Sequence, residues 1–384
     1  MTTKRGEAAE EGRRGALAAP PRWVQGGGRR VAVASRRAYA RLRERGHRGW
    51  PGRLALLAVL AAGLGVAGYR RSDELGVTLS ALADVRVSWA VGAIGANVAS
   101  LALRGLAWVP VLDEAVPRAP GRRHVLCAYL IGQLGNALLP GRLGEVGKMA
   151  LVCGKLPAER AAWAAVGGSI LAHRLLDALP LSALALFVLL SAGIPRWAVT
   201  VVLGAVLLGM AALGLAAVAA RRGPIPPSGA GRARAALATA RRGLGVLRSP
   251  AGVLRAALLL SAGWTAEIAG AWLMLGAFGV DAPLVAAGVV VLVTNALMAF
   301  PVWPGNVGLL QAGVALALVP WGVATPTGVA YGIGLQAVEL LSALGPGIAA
   351  LAAEGLSLAA LRGLSERGLG ELGGASDGPD GRPL

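Results

Sequence analysis

The sequence predicts an all-α polytopic membrane protein of about six full transmembrane helices plus two Pro-Gly-broken helical hairpins, and three observations predict it. Residues that are 55% hydrophobic and only 15% charged, with a mean hydropathy of +0.61 over 384 positions, leave too few polar side chains to cover a soluble surface. The apolar residues run on in long stretches, whereas a transmembrane barrel would alternate polarity in segments of roughly ten residues. The 57 glycines and abundant alanines suit helices that approach closely in a bilayer.

Charge fixes the orientation. Residues 1–53 hold 14 Lys and Arg against four acids, and residues 220–256 hold eight Arg and no acid, so these two blocks account for the whole net charge of +18. Basic loops beside apolar spans mark the cytoplasmic side and attract anionic lipid. This reading places the chain in the inner, cytoplasmic membrane with both termini in the cytoplasm, and no nucleic-acid partner is expected.

In chain order, residues 1–50 read as a basic, largely disordered cytoplasmic extension, residues 51–355 as the transmembrane domain and residues 356–384 as a short polar tail. Spans long enough to cross ~30 Å of hydrocarbon fall at 54–69, 88–112, 162–193, 197–219, 252–280 and 328–354. Two further stretches, 124–156 and 284–322, are interrupted by LPGRLGEVGK and FPVWPGNVGLLQ. Pro-Gly cannot continue a helix, so each reads as a hairpin of two short helices, re-entrant or as two full spans. As re-entrant elements they enter from opposite faces, the arrangement of inverted repeats. Arg234, Arg241, Arg248 and Arg255 recur at heptad spacing through and just past the basic loop 220–251, beside Leu237, Ala240, Leu244 and Leu247, which predicts an amphipathic interfacial helix separated from the next span by Pro250.

Ionisable residues at bilayer depth cost ~2.5–3.5 kcal/mol each on the insertion scale, and they mark the candidate site. Arg142, Glu145 and Lys148 follow the first Pro-Gly break, where a new helix also points its amides, a combination suited to a phosphodiester. The same spacing also suits a plain ion pair between Glu145 and Lys148. His173, Arg174 and Asp177 lie one turn apart, so Asp177 is expected to pair with either neighbour or to line a polar path. Glu267 and Glu339 have no basic residue within a turn and need partners on other helices, from among Arg104, Arg142, Lys148 and Arg174; the alternative is a structural glutamate that burial keeps protonated. The second break supplies Asn295, Pro301, Pro304, Gly305, Asn306, Gly308 and Gln311 as uncharged polar groups or as a tight turn, and Asn136 precedes the first break. Trp89, Trp108, Trp264, Trp303 and Trp321 read mainly as interface anchors.

Soluble chemistry is excluded on specifics. GRLGEVGKM lacks a phosphate loop's first glycine, which is Arg142, and its hydroxyl after the lysine, which is Met149. The scattered His47, His124 and His173 and the apolar-segment Cys127 and Cys153 give no metal-ligand spacing and no disulfide framework. No cofactor or metal is expected.

LPGRLGEVGK preceded by Tyr129, Gly132 and Asn136, HRLLD at 173–177 and FPVWPGNVGLLQ together resemble the membrane domain of the lysylphosphatidylglycerol synthetase/flippase family over roughly residues 50–355. Lys148, Arg174 to Asp177 and Gln311 fill its remaining pattern positions, with Gln311 standing where an acid is common. The resemblance implies a module that moves aminoacylated phosphatidylglycerol between leaflets. Two-part members add a soluble aminoacyl transferase domain; without it, lysyl transfer is not expected of this chain, and a separate lipid-modifying enzyme is a candidate partner.

The leading expectation is a lipid translocase, not an enzyme, for an anionic or aminoacylated phospholipid or a polyprenyl-phosphate-linked lipid. Arg142, Lys148 and Arg174 would engage the phosphate; Asp177, Glu267 and Glu339 would balance them or meet a cationic headgroup. A membrane component or enzyme of envelope glycolipid assembly and a non-catalytic scaffold are the alternatives.

Overall fold

The computed structural model describes residues 72–116, 118–139, 143–156, 160–191, 196–221, 241, 243–299, 306–357 and 363. These belong to one compact unit, Ser72–Leu384, and are helical with no strand among them. The proposed N-terminal extension, the span at 54–69, residues 222–240 of the basic loop and almost all of the tail lie outside the described residues.

The helices in order are α1 (Ser72–Ala83), α2 (Val87–Ala115), α3 (Arg122–Leu138), α4 (Leu143–Cys153), α5 (Arg160–Leu176), α6 (Ala178–Ser191) and α7 (Arg196–Arg221). They continue as α8 (Pro250–Ala277), α9 (Leu284–Ala299), α10 (Leu309–Leu318) and α11 (Thr325–Ala353). Among the described residues four segments are long and apolar enough to cross a membrane: Val87–Ala115, Ala162–Ser191, Pro250–Ala277 and Thr325–Ala353. Their outer faces carry bare leucines, with Leu190 79% and Leu215, on α7, 72% exposed, a surface stable against lipid and not against water. The chain is therefore a multi-pass membrane protein.

Local sequence explains the boundaries. Ser249 caps α8 by accepting the Gly252 N–H at 3.2 Å, and Pro250 sits where a helix start tolerates a missing donor. The span expected at 162–193 is two helices that meet at Asp177. Pro180 has no N–H for the Leu176 carbonyl, which breaks the ladder at that turn. The described end of the basic loop also differs from the interfacial helix expected there: Gly245–Arg248 is a 3-10 turn packed against α2, α7 and α8, with Leu244, Val246 and Leu247 buried in protein.

The centre of the fold is an antiparallel pair, α2 against α8. The Arg86 N–H donates to the Ala277 carbonyl at 2.9 Å at one end, the Gly270 position faces the Ala93 carbonyl, and Gly263 leaves room for the Arg104 stem further along. The hairpin α3–α4 packs on α2 and α11 at one end of this pair. Its base is fixed by His124, which bonds Glu354 at 2.9 Å and the Leu151 carbonyl at 3.2 Å. The hairpin α9–α10 packs on α8 and α11 from the other end, where Thr78 of α1 bonds the Pro326 carbonyl at 3.3 Å. At 11 and 10 residues, α4 and α10 reach about 17 and 15 Å, half of a ~30 Å hydrocarbon layer. Each hairpin thus pairs a longer arm, α3 or α9 at 17 and 16 residues, with a second arm shorter than a full span.

Packing repeats under exchange of halves. α2 corresponds to α8, α3–α4 to α9–α10, and α5–α6 to α11, and the packing among these helices in one half has its counterpart in the other. Because α2 and α8 run in opposite directions, the two repeats are inverted, as the opposed Pro-Gly breaks predict.

Candidate functional site

The tip of the first hairpin depends on two glycines. α3 and α4 cross so closely that a Cβ on Gly144 would strike the Gly132 carbonyl oxygen and come within 2.5 Å of the Asn136 nitrogen. This approach brings Asn136 of α3 beside Glu145 in the first turn of α4. Glu145 is the hub of a charge cluster: one carboxylate oxygen meets the Lys148 ammonium at 2.6 Å, and the other accepts from the Arg174 guanidinium at 2.7 Å and from the Asn136 amide at 3.4 Å. Lys148 is buried, and its ammonium lies 5.2 Å from the ring centres of both Trp108 and Tyr129. Aromatic faces and one carboxylate take the place of water around a cation that lipid could not solvate.

A second cluster crosses the core. Arg104 of α2 forms a hydrogen-bonded ion pair with Glu267 of α8, whose other oxygen accepts from the Asn295 amide at 2.9 Å. The Arg104 guanidinium stacks over Trp264 at 4.4 Å, and the Trp264 indole N–H donates to Asp177 at 3.2 Å. The His173 Nε2 lies 3.0 Å from the Arg104 carbonyl; since a carbonyl only accepts, that nitrogen carries the proton. Asp177 therefore pairs with neither His173 nor Arg174, contrary to the sequence expectation. Asp177, at the junction of α5 and α6, accepts from Trp264 of α8, while Arg174 reaches across to α4. Trp108 and Trp264 likewise are not interface anchors: both are buried, each against a cation.

Between the clusters lies a cavity of about 210 Å³, lined by Asn97, Ser100 and Arg104 of α2, Gln133 and Asn136 of α3, Glu267, Thr294, Asn295 and Glu339. This is ample room for several waters among polar partners. Three polar atoms on these lining residues have no hydrogen-bond partner: Arg104 Nε, Asn136 Oδ1 and Thr294 Oγ1. The tips of both hairpins border the cavity, one through Gln133 and Asn136 and the other through Thr294, Asn295 and Met298.

Of the residues singled out in the sequence, the structure brings Asn136, Glu145, Lys148 and Arg174 into one cluster, and places Asn136, Glu267 and Glu339 on the cavity. Asn306 and Gln311 sit in the second hairpin's turn. Asn306, at φ +46°, donates to the Leu297 carbonyl at 2.8 Å, and the Gln311 side chain accepts from the Gly308 N–H at 2.6 Å while donating to Gln336 at 2.7 Å. Gln311→Ala is expected to lower stability by about 1–2 kcal/mol, read from thermal unfolding in detergent, because it frees a helix-start N–H and removes a bond to the half-buried Gln336 amide together. Arg142, Pro304 and Gly305 lie outside the described residues. Sequence reasoning missed Asn97, Ser100, Gln133 and Thr294 as cavity residues. Their signal was polar side chains at i, i+3 and i+7 in an apolar span, as in Asn97, Ser100 and Arg104.

The family model for the lysylphosphatidylglycerol synthase TM region matches residues 53–347. No curated protein and no solved structure matches the chain. The match covers both hairpins, the central helix pair and every cavity residue, and the chain belongs to the lysylphosphatidylglycerol synthase transmembrane-region family.

Proposed function

We propose that the protein is a lipid translocase that passes a phospholipid headgroup through the central cavity, with the acyl chains left in the bilayer. The observation that carries this reading is the polar cavity itself, at the meeting point of two hairpins that come from opposite ends of the α2–α8 pair. The cavity offers a donor, Arg104 Nε, on one side and the Glu339 carboxylate on another, a pattern that fits a headgroup bearing both a phosphate and an amine. This favours an aminoacylated phospholipid over a plain anionic one. Lys148 and Arg174, balanced by Glu145, stand at the first hairpin's tip beside Asn136, where a phosphate leaving the leaflet first meets cations. The basic segments 1–53 and 220–256 orient this hairpin toward the cytoplasm and the second outward, in the inner membrane. The chain's own task is movement and not catalysis, so a separate enzyme supplies the modified lipid.

The test is headgroup movement in vesicles reconstituted with the purified full chain. Arg142→Gln and Glu145→Gln are each expected to slow it by about tenfold or more, the effect of losing one charge-assisted hydrogen bond of ~1.5–3 kcal/mol. Unchanged rates in both variants would sink the reading.

A further inference from the structure

Glu339 is the ionisable group of the cavity that no side chain answers. Arg104 and Glu267 are committed to each other, and among the described residues no hydrogen bond or ion pair reaches the Glu339 carboxylate. The groups around it are few. α2 presents Arg104, already paired; α3 presents the neutral Gln133 and Asn136; α8 presents Glu267, a like charge. Across the cavity α9 presents Thr294 and Asn295. α10 offers Gln311, bonded to Gln336, and α1 keeps its acids Asp73 and Glu74 exposed in its first turn, away from the cavity. On α11 itself Tyr331, two turns earlier, donates its hydroxyl to the Ala271 carbonyl at 2.9 Å.

The cavity lining thus holds two carboxylates and one guanidinium, whose charge is already matched by Glu267 although its Nε–H remains free to donate. A carboxylate charge facing another in a low-dielectric space has to be balanced from outside the protein, by a proton or by a cation that enters. A second observation points the same way. Thr294 Oγ1 is buried, lies on the cavity wall with Glu339 and again on a smaller adjoining void of about 10 Å³ with it, and has no hydrogen-bond partner. A hydroxyl in that position serves either state, donating to a carboxylate or accepting from an ammonium.

We propose that Glu339 is a proton-exchange site: it holds a proton while the cavity carries no cationic group and yields it when a headgroup ammonium enters. The proton leaves to the water on the side toward which the cavity is open and one ammonium of the lysyl group replaces it; the second ammonium matches the headgroup's own phosphate, so the charge of the cavity is unchanged. Headgroup movement in one direction is then coupled to proton movement in the other. This rests on the translocase reading above and adds its driving ion.

The experiment uses the full chain in vesicles of phosphatidylcholine and phosphatidylglycerol containing lysylphosphatidylglycerol, with outer-leaflet aminolipid read by a membrane-impermeant amine reagent. Under a pH difference imposed in either direction, the wild type should accumulate the aminolipid in the leaflet facing the more acidic side, by up to about tenfold per pH unit for one-for-one exchange. Glu339→Gln should lose the response to the gradient in whatever movement remains, and Glu339→Asp should keep it. A second readout needs no variant: adding lysylphosphatidylglycerol to the detergent-solubilised wild type in weak buffer should release one proton per chain, detected by a pH indicator. Movement that ignores the gradient in the wild type overturns the coupling and leaves the translocase reading standing. Release provoked equally by sodium or potassium chloride overturns it in favour of a free-cation site. No movement of any lipid overturns the translocase reading and the coupling with it.

Discussion

Replacing Gly144 with alanine is expected to destabilise the protein by about 3 kcal/mol or more, because the added methyl meets backbone and not the end of a flexible side chain. The Gly132 carbonyl, the Asn136 nitrogen and the Asn136 side-chain oxygen all lie in its path, and none can step aside without separating α3 from α4. Separation would also pull Glu145 from Asn136 and shift Lys148 against Gly132, so function should fail with stability. The comparison is Gly95→Ala in α2, where a new methyl has nothing within 4 Å and helix propensity alone favours alanine by up to about 1 kcal/mol. Thermal unfolding in detergent, followed by the loss of the monodisperse peak on size exclusion, separates the two. Equal midpoints for both variants would show that the hairpin crossing is looser than the structure has it.

Arg104→Ala and Glu267→Ala are each expected to cost about 3–5 kcal/mol, since either leaves one charge buried without its partner. Removing both, as Arg104→Met with Glu267→Met, should recover most of that loss, because the pair is taken out whole and methionine fills the space of both stems. The double variant should nonetheless fail to move lipid, having lost the cavity's guanidinium. A double-mutant cycle on unfolding midpoints measures the interaction directly. Additive losses would mean that the two side chains contribute separately, through Trp264 and Asn295, and not as a pair.

The spans were legible wherever twenty apolar residues ran together: α2, α8 and α11 begin and end within about three residues of where composition puts them. The hairpins were legible because Pro-Gly has no helical continuation, and their inversion because the breaks fall an odd number of spans apart. The partners of the charged residues were less so. Spacing along a helix says that Asp177 neighbours His173 and Arg174, but only tertiary packing says that Arg174 turns to Glu145 and Asp177 to Trp264. The helix break from Pro180 and the close crossing at Gly132 and Gly144 decide both, and each comes from a residue whose effect is on backbone position. Glu267's need for a cation from another helix was readable, and Arg104 meets it. The burial of Trp108 and Trp264 was not readable, since an indole that anchors a span at the interface and one that covers a buried cation have the same sequence context.

Each hairpin bonds the helix after it through a side chain, Glu145 to Arg174 in the first and Gln311 to Gln336 in the second, both at 2.7 Å. The first tie joins opposite charges and the second joins neutral amides. An ionic bond gains more than an amide bond in a dry setting and loses more when water and salt reach it. The two halves, alike in architecture, are therefore unequal in what it takes to part them. In the translocation proposed above, that inequality would set how the population without substrate divides between the two facings, with each 1.4 kcal/mol worth about a factor of ten. A scaffold that repeats in shape is thus fastened unequally, and only the fastening between Glu145 and Arg174 weakens as ionic strength rises.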